Sequence, residues 1–185
     1  MKKTVFVLLF TTLSISAFCQ KGDITVGAKG GYVISNTSGL RYNGVLYGLD
    51  IAYHISDAFE VAFTNLMNRD IPRSTDNLSI YSYSLDLRLY LIHMQEWATG
   101  PALGGQFYSV SVDSKSSDLD DYNYKHMGFN IGWHIRVNLT DNLKLNGGWR
   151  YTNVKAKDPD SQYGASFDLS HHLIYLGIAY TFESK

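Results

Sequence analysis

Apolar and polar side chains alternate with a period of two along most of this chain. The last segment before the C-terminus shows the pattern in full. Its apolar row consists of Ile174, Leu176, Ile178, Tyr180 and Phe182. The intervening positions are smaller and mixed. Because residues two apart on a strand share a face, this segment is predicted to be a strand with one apolar face and one mixed face.

Eight such segments follow residue 20. They span about 24–35, 43–55, 59–67, 78–92, 99–112, 122–139, 142–154 and 173–182. No helical period of 3.6 competes with the alternation, so the fold class is predicted to be all-β. Each segment holds roughly the 9–11 residues that a tilted strand needs to cross a bilayer.

The connections between these segments alternate in length. The short ones lie at 56–58, 93–98 and 140–142, and the longer, polar ones lie at 36–42, 68–77, 113–121 and 155–167. Short turns at one end and long loops at the other are typical of outer-membrane barrels. We therefore predict an eight-stranded antiparallel up-and-down transmembrane β-barrel, closed between its first and last strands. Both termini are expected on the short-turn, periplasmic side.

The first 19 residues have the features of an export signal. Lys2 and Lys3 precede a short apolar run, and small residues before Gln20 offer a cleavage site. We predict a cleaved Sec signal peptide at 1–19 and a barrel domain at 20–185. A retained anchor is the alternative, but the run is short for a transmembrane helix. Lipidation of Cys19 is a second alternative, although Phe18 is larger than a lipobox accepts.

Composition narrows the function classes. The chain has 185 residues, a formal net charge of −1 and one cysteine. If Cys19 leaves with the signal peptide, neither disulfides nor thiolate metal sites are possible. The absence of a basic stripe or a recognition motif predicts no nucleic-acid partner. No cofactor motif occurs, so we predict no cofactor.

Three features resemble a known family. They are the opening Val26-Gly27-Ala28-Lys29-Gly30-Gly31-Tyr32, the glycine-rich fifth segment and the closing Tyr180-Thr181-Phe182. They resemble the small eight-stranded outer-membrane barrels of the OmpA/OmpX-like porin superfamily. More narrowly, the chain looks like the outer membrane protein beta-barrel domain proteins of Bacteroidetes-type bacteria. The resemblance covers the whole mature chain and is specific for architecture more than for activity.

The resemblance implies a location and partners. We expect the chain in the outer membrane of a Gram-negative cell, in contact with outer-membrane lipids and lipopolysaccharide. Gly177, Tyr180 and Phe182 resemble the C-terminal signal that the outer-membrane assembly machinery reads, although three residues follow Phe182. The long loops are expected to meet any extracellular partner.

Ionisable residues occupy the face opposite the apolar rows. They are Lys29, Asp50, Glu60, Asp86, Arg88, Arg136, Lys144 and Arg150. Side chains roughly fill the interior of an eight-stranded barrel, and buried charges must pair. We therefore predict an ion-pair network that plugs the lumen, with Asp86 bonded to an Arg or Lys on a neighbouring strand. The alternative is a rearrangeable gate in a narrow pore.

Two other clusters suggest chemistry. His171 and His172 are adjacent, so on a simple strand they face opposite ways and cannot chelate one metal. Ser170 and His172 are expected to share a face, as a lipid A deacylase would require, but the His-x-Ser arrangement of those enzymes is missing. The acidic stretch 118–121 lacks calcium-loop spacing and is expected to be a solvated loop.

These patterns together predict a non-enzymatic integral outer-membrane barrel. Its expected role is envelope structure or surface interaction, with a plugged polar lumen. A narrow pore or small-solute transport barrel, as OmpW-like proteins are, is the alternative. A lipid A-modifying enzyme is the third hypothesis.

Overall fold

A computed structural model describes residues 22–35, 43–72, 76–114, 122–157, 166–168 and 170–183. The long strands in these ranges are β1 (Ile24–Ile34), β2 (Asn43–Ser56), β3 (Phe59–Pro72), β4 (Asp76–Leu89), β5 (Trp97–Ser114), β6 (Tyr122–Asn138), β7 (Leu143–Asn153) and β8 (His171–Phe182). Three short strands, Ile92–His93, Lys155–Lys157 and Ser166–Asp168, accompany them. Within the described ranges, no helix is long and apolar enough to span a membrane.

The eight long strands form one closed antiparallel sheet. Each pairs with its neighbours in chain order, and β4 pairs with β5 across the middle of the chain. The sheet closes where β1 pairs with β8, in a register that runs from Ile24 opposite Phe182 to Ile34 opposite His172. This closure confirms the predicted eight-stranded barrel.

Two connections differ from the predictions. The expected long link at 68–77 is wrong, because β3 and β4 stay paired as far as Pro72 opposite Asn77. That pairing continues past an irregularity between Asn68 and Ile71. The expected end of the fourth segment at 92 is also wrong, because Ile92–His93 leaves β4 and pairs with Ala98 and Thr99 on β5.

Two short strands lie within or at the end of the link predicted at 155–167. Lys155–Lys157 and Ser166–Asp168 pair with each other and form a separate two-stranded ribbon. We call this end of the barrel the loop end, and the opposite end, with the turns at 57–58, 90–96 and 139–142, the short-turn end. Residues 36–42 and 115–121 lie outside the described ranges.

The two faces of each strand match the predicted faces. On β4, Leu85 is 58% exposed, whereas Asp86 and Arg88 are each 1% exposed. Large exposed apolar side chains cover the outer surface; they include Tyr47, Leu49, Phe63, Leu87, Ile131, Trp133, Leu176 and Ile178. The interior therefore holds the polar side chains, and the exterior is an apolar surface suited to hydrocarbon.

The largest buried apolar cluster lies inside the barrel, at the loop end. It consists of Val33, Leu46, Leu66, Ile80, Tyr108, Val110, Val154, Leu173 and Tyr175. We call this cluster the apolar plug. Its members lie near the loop ends of their strands, so it forms a layer above the ionisable residues.

Two adjacent glycines on β5 allow a matched test of the barrel's inner and outer faces. A Cβ at Gly104 would collide with the carbonyl oxygen of Leu85 and the carboxylate of Asp86, whereas one at Gly105 meets nothing within 4 Å. We expect Gly104→Ala to destabilise the barrel by about 1–3 kcal/mol, as overpacking does. Gly105→Ala is expected to be neutral or slightly stabilising. Urea unfolding in lipid vesicles measures both, and equal effects would contradict the assigned faces.

Candidate functional site in the barrel lumen

Arg88 is the centre of a buried network of charges. Its guanidinium binds the Asp50 carboxylate through two hydrogen bonds, Nη2 to Oδ1 at 2.7 Å and Nη1 to Oδ2 at 3.1 Å. Nη1 also donates to Oε1 of Glu60 at 2.7 Å. Arg88 and Glu60 are direct partners across the β3–β4 ladder, whereas Asp50 reaches Arg88 from β2. The fixed fork of an arginine suits this double carboxylate contact.

Lys29 brings β1 into the network. Its ammonium donates to Oδ1 of Asp50 at 2.7 Å and lies 4.6 Å from the centre of the Tyr175 ring. The hydroxyl of Thr64 donates to the same carboxylate oxygen. Asp50 is 3% exposed. Its carboxylate is therefore shielded from water and accepts hydrogen bonds from three side chains instead, those of Lys29, Thr64 and Arg88. A buried carboxylate is tolerated only with such compensation.

Glu60 extends the network toward the short-turn end. Its Oε2 lies 3.4 Å from Nη1 of Arg136 and 3.5 Å from Nδ1 of His54. The Arg136 guanidinium also lies over the Tyr90 ring, 4.4 Å from its centre. Arg136 belongs to β6 and Glu60 to β3, so this contact crosses the lumen.

Asp86 and Arg150 form a second buried ion pair. Nη2 of Arg150 donates to Oδ2 of Asp86 at 2.6 Å, and Nη1 donates to the Ser84 hydroxyl at 2.9 Å. The prediction that Asp86 would pair with a neighbouring strand is wrong, because β4 and β7 are separated by β5 and β6. The ladder partners on those intervening strands are Gly104 beside Asp86 and Gly132 beside Arg150. The ladder partners of Asp86 are Ala62 and Gly104, neither of which is a cation. Its carboxylate therefore binds Arg150 across the lumen, through the space that the glycines leave.

Lys144 is placed differently from the other predicted members. It is buried, with 9% exposure, at the start of β7 near the short-turn end. No hydrogen bond or ion pair reaches its ammonium from the described residues. The structure therefore joins seven of the eight predicted residues by ion pairs and leaves Lys144 outside them.

Polar side chains bonded to one another also fill the lumen, and Tyr175 of the apolar plug reaches both them and Lys29. Gln106 donates to the Ser82 hydroxyl at 2.8 Å and accepts from the Thr152 hydroxyl at 3.1 Å. His134 and the Tyr175 hydroxyl are bonded at 2.9 Å. The lumen thus changes from charged and polar to apolar toward the loop end.

The apolar plug was not predicted from the sequence. The available signal was a break in the alternation, because inward positions close to the loops carry apolar residues such as Val33, Leu46 and Ile80. His171 also lies inside the barrel near the loop end, with its ring 5.2 Å from that of Tyr108. The inward face therefore changes from ionic to apolar along the barrel axis.

The structure places Ser170 and His172 in different environments. His171 points inward, whereas His172 lies on the outer face and accepts a hydrogen bond from Nε1 of Trp149 at 3.2 Å. The expectation that Ser170 shares a face with His172 is wrong, because β8 begins at His171 and the buried Ser170 hydroxyl accepts from the Val154 amide at 3.2 Å. The part of the chain that the structure describes contains no cluster of His, Cys, Asp and Glu suited to a metal. Residues 118–121 lie outside it.

The residues of the predicted assembly signal lie on the closing strand. Gly177 is the ladder partner of Lys29, and an added Cβ there would lie 2.6 Å from the Ala28 carbonyl oxygen. Tyr180 and Phe182 point outward, with ring centres 5.0 Å apart. Their recognition by assembly machinery stays a prediction.

The cross-lumen ion pair generates a stability prediction. Arg150→Met leaves Asp86 buried without its cation, so we expect a loss of about 3–5 kcal/mol in the free energy of unfolding. The double variant with Asp86→Leu removes both charges and is expected to recover most of that loss. Lys125→Met, at an exposed site near the loop end, is the control and should change stability by less than about 0.5 kcal/mol. Additive losses in the double variant would contradict the pairing.

Solved structures with the same fold have low sequence identity to this chain. Neisserial surface protein A is 14% identical, with a TM-score of 0.71, and the match covers 88% of this chain and 100% of that one. OprG from Pseudomonas aeruginosa is 13% identical, with a TM-score of 0.62 and coverage of 89% and 98%. Ail, the attachment invasion locus protein of Yersinia pestis, is 14% identical, with a TM-score of 0.56 and coverage of 88% and 99%. At these identities the likeness concerns the fold alone.

The sequence itself matches a family model over nearly its whole length. The model is described as the outer membrane protein beta-barrel domain, and it matches residues 5–182. No curated protein matches the chain significantly. The closed eight-stranded fold agrees with the match, and the family points to the bacterial outer membrane as the location. The chain belongs to the outer membrane protein beta-barrel domain family.

Proposed function

We propose that this protein is a non-enzymatic outer-membrane barrel with a closed lumen, whose role is structural or lies in surface interaction. The observation that supports the proposal is the layered filling of the lumen. Seven charged side chains are fixed to one another in ion pairs, and the apolar plug covers them toward the loops. A lumen built in this way contributes rigidity and leaves the loops and the outer surface for interactions.

The apolar plug argues against transport through the barrel. Val33, Ile80, Tyr108, Val110 and Val154 are all 0% exposed, so these side chains offer water no accessible surface in the described part of the barrel. An ion that crosses such a layer must lose its water without receiving a replacement ligand. We therefore prefer the structural role to the narrow-pore alternative.

The geometry around β8 argues against an acyl hydrolase. A serine nucleophile needs a histidine within hydrogen-bond reach. Ser170 is buried and bonded to the Val154 amide, while His172 stacks on Trp149 on the outer surface, with ring centres 5.7 Å apart. The two side chains thus point to different environments.

The outer surface suits the lipid partners that the sequence implies. Apolar rows such as Leu85 and Ile178 would contact acyl chains, and Trp149 and Tyr151 near the loop end suit the interface with lipopolysaccharide. Residues 1–19 would direct export, and Gly177, Tyr180 and Phe182 would be read by the assembly machinery. The links at the loop end would contact any extracellular partner.

Electrical recording in planar bilayers tests the closed lumen. We expect the purified barrel to insert without producing conductance steps, since the apolar plug excludes hydrated ions. Replacing plug residues by polar ones, as in Leu46→Ser with Leu173→Ser, should introduce conductance because water then enters the layer.

The matched control for this recording is Leu46→Met with Leu173→Met, which keeps an apolar layer of similar volume and should stay silent. Heat-modifiable migration on a detergent gel verifies that each variant is folded. Regular channel openings by the unmodified barrel would contradict the proposal and favour the pore.

Mass spectrometry of lipid A tests the non-enzymatic part of the proposal. Cells that express the barrel are expected to keep the lipid A acyl pattern of cells that lack it, because Ser170 and His172 lie in different environments. The proposal would be contradicted if these cells lost a lipid A acyl chain and cells with the Ser170→Ala variant kept it.

A further inference from the structure

A polar cavity opens at the short-turn end of the barrel lumen, at the opposite end from the apolar plug. Its volume is about 510 Å³, and the turns at 57, 93–96 and 139–141 form its sides. Small-molecule sites commonly have volumes of roughly 300–1,000 Å³. The cavity is therefore large enough for an amino acid or a short peptide end.

Two buried cations form its floor. Arg136 is 6% exposed and Lys144 is 9% exposed, and both line the cavity. Contacts to Glu60 and His54 through Nη1, together with the Tyr90 ring, hold the Arg136 guanidinium in place. No hydrogen bond or ion pair from the described residues occupies the Lys144 ammonium. The floor thus offers an oriented guanidinium and an available ammonium.

The buried side chains of the lumen carry more positive than negative formal charges. Among the buried residues, the five cations Lys29, Arg88, Arg136, Lys144 and Arg150 outnumber the three carboxylates Asp50, Glu60 and Asp86. With neutral histidines, the buried set has a formal excess of two positive charges. Asp50 binds Lys29 and Arg88, Asp86 binds Arg150, and Glu60 is shared by Arg88 and Arg136. Among the described residues, Lys144 therefore has no ion-pair partner and Arg136 has only a shared one.

Two residues that line the cavity each have a buried polar atom without a hydrogen-bond partner among the described residues. Nε of Arg136 is a shielded donor without an acceptor among the described residues, and Oδ1 of Asn138 is a shielded acceptor without a donor. Both residues line the cavity, and Asn138 is held by its Nδ2 hydrogen bond to the Gln95 carbonyl at 2.8 Å. An unpaired buried polar atom is costly, so both atoms mark the wall of the cavity as incompletely satisfied.

The rim has the opposite charge. Four exposed carboxylates surround the opening: Asp57, Glu96, Asp141 and Glu183. A simple anion would gain from the floor but be repelled by the rim. A ligand with a carboxylate at one end and an ammonium group at the other complements both regions.

We propose that the short-turn mouth is a binding site for a small zwitterion, namely a short peptide with a free carboxyl terminus and an amino group. Its carboxylate binds Arg136 and Lys144, and its ammonium group lies among the rim carboxylates. The site faces the periplasm, on the side where peptides of that compartment have access. This assignment is independent of whether the lumen conducts.

Titration calorimetry with the dipeptide Lys-Ala, on the folded barrel in a non-ionic maltoside detergent, tests the proposal. We expect saturable binding of Lys-Ala and at least about tenfold weaker binding of its C-terminal amide, because a charge-assisted bond to the carboxylate is lost. Lys144→Gln should weaken Lys-Ala binding by about the same factor, and Lys144→Arg should retain it. Lys125→Gln, at the opposite end, is the matched control and should leave binding unchanged.

Several outcomes would overturn the site. They are the absence of binding up to roughly 10 mM Lys-Ala, equal binding by the Lys144→Gln variant, and equal binding of acetate and Lys-Ala. Binding of phosphoethanolamine in preference to Lys-Ala would assign the cavity to a lipid headgroup and would also overturn the peptide proposal. Heat-modifiable migration shows whether each variant is folded, so loss of binding is separable from loss of structure.

Discussion

The structure depends on one constraint: within hydrocarbon, every backbone amide and carbonyl must find its partner inside the protein. An open sheet would leave the outer edges of its first and last strands unpaired in lipid. Here β8 removes both edges by pairing with β1 along the whole of that strand, from Ile24 to Ile34. Closure forces side chains into two environments, and the alternating sequence supplies apolar rows for one and polar rows for the other.

Closure also creates a narrow interior, and its filling decides what the protein can do. Because Arg88 binds Asp50 and Glu60 at once, three strands are tied together by one side chain. Arg150 reaches Asp86 from the far wall, where glycines on the intervening strands leave room. The apolar plug then covers these charges toward the loops. The same arrangement leaves Arg136 and Lys144 at the other end, where the cavity opens between exposed carboxylates.

The alternation of residues was sufficient to predict the strands, their faces and the closed barrel, since a period of two fixes which side chains point inward. It could not predict partners across the lumen, because the pairing of Asp86 with Arg150 depends on how eight registers combine on closure. The alternation also does not give the position of a residue along the barrel axis. Val33 and Ile80 were therefore not recognised as members of one layer. The link at 68–77 was misjudged because its polar residues stay in the β3–β4 ladder as far as Pro72.

Closure between β1 and β8 is tested most directly by amide hydrogen exchange, measured residue by residue by NMR with the barrel in lipid. We expect the amides of β1 and β8 between their paired ends to exchange as slowly as those of the neighbouring strands β2 and β7. Exchange of alternate β1 or β8 amides at rates typical of an exposed sheet edge, with β2 and β7 protected, would contradict the closed barrel.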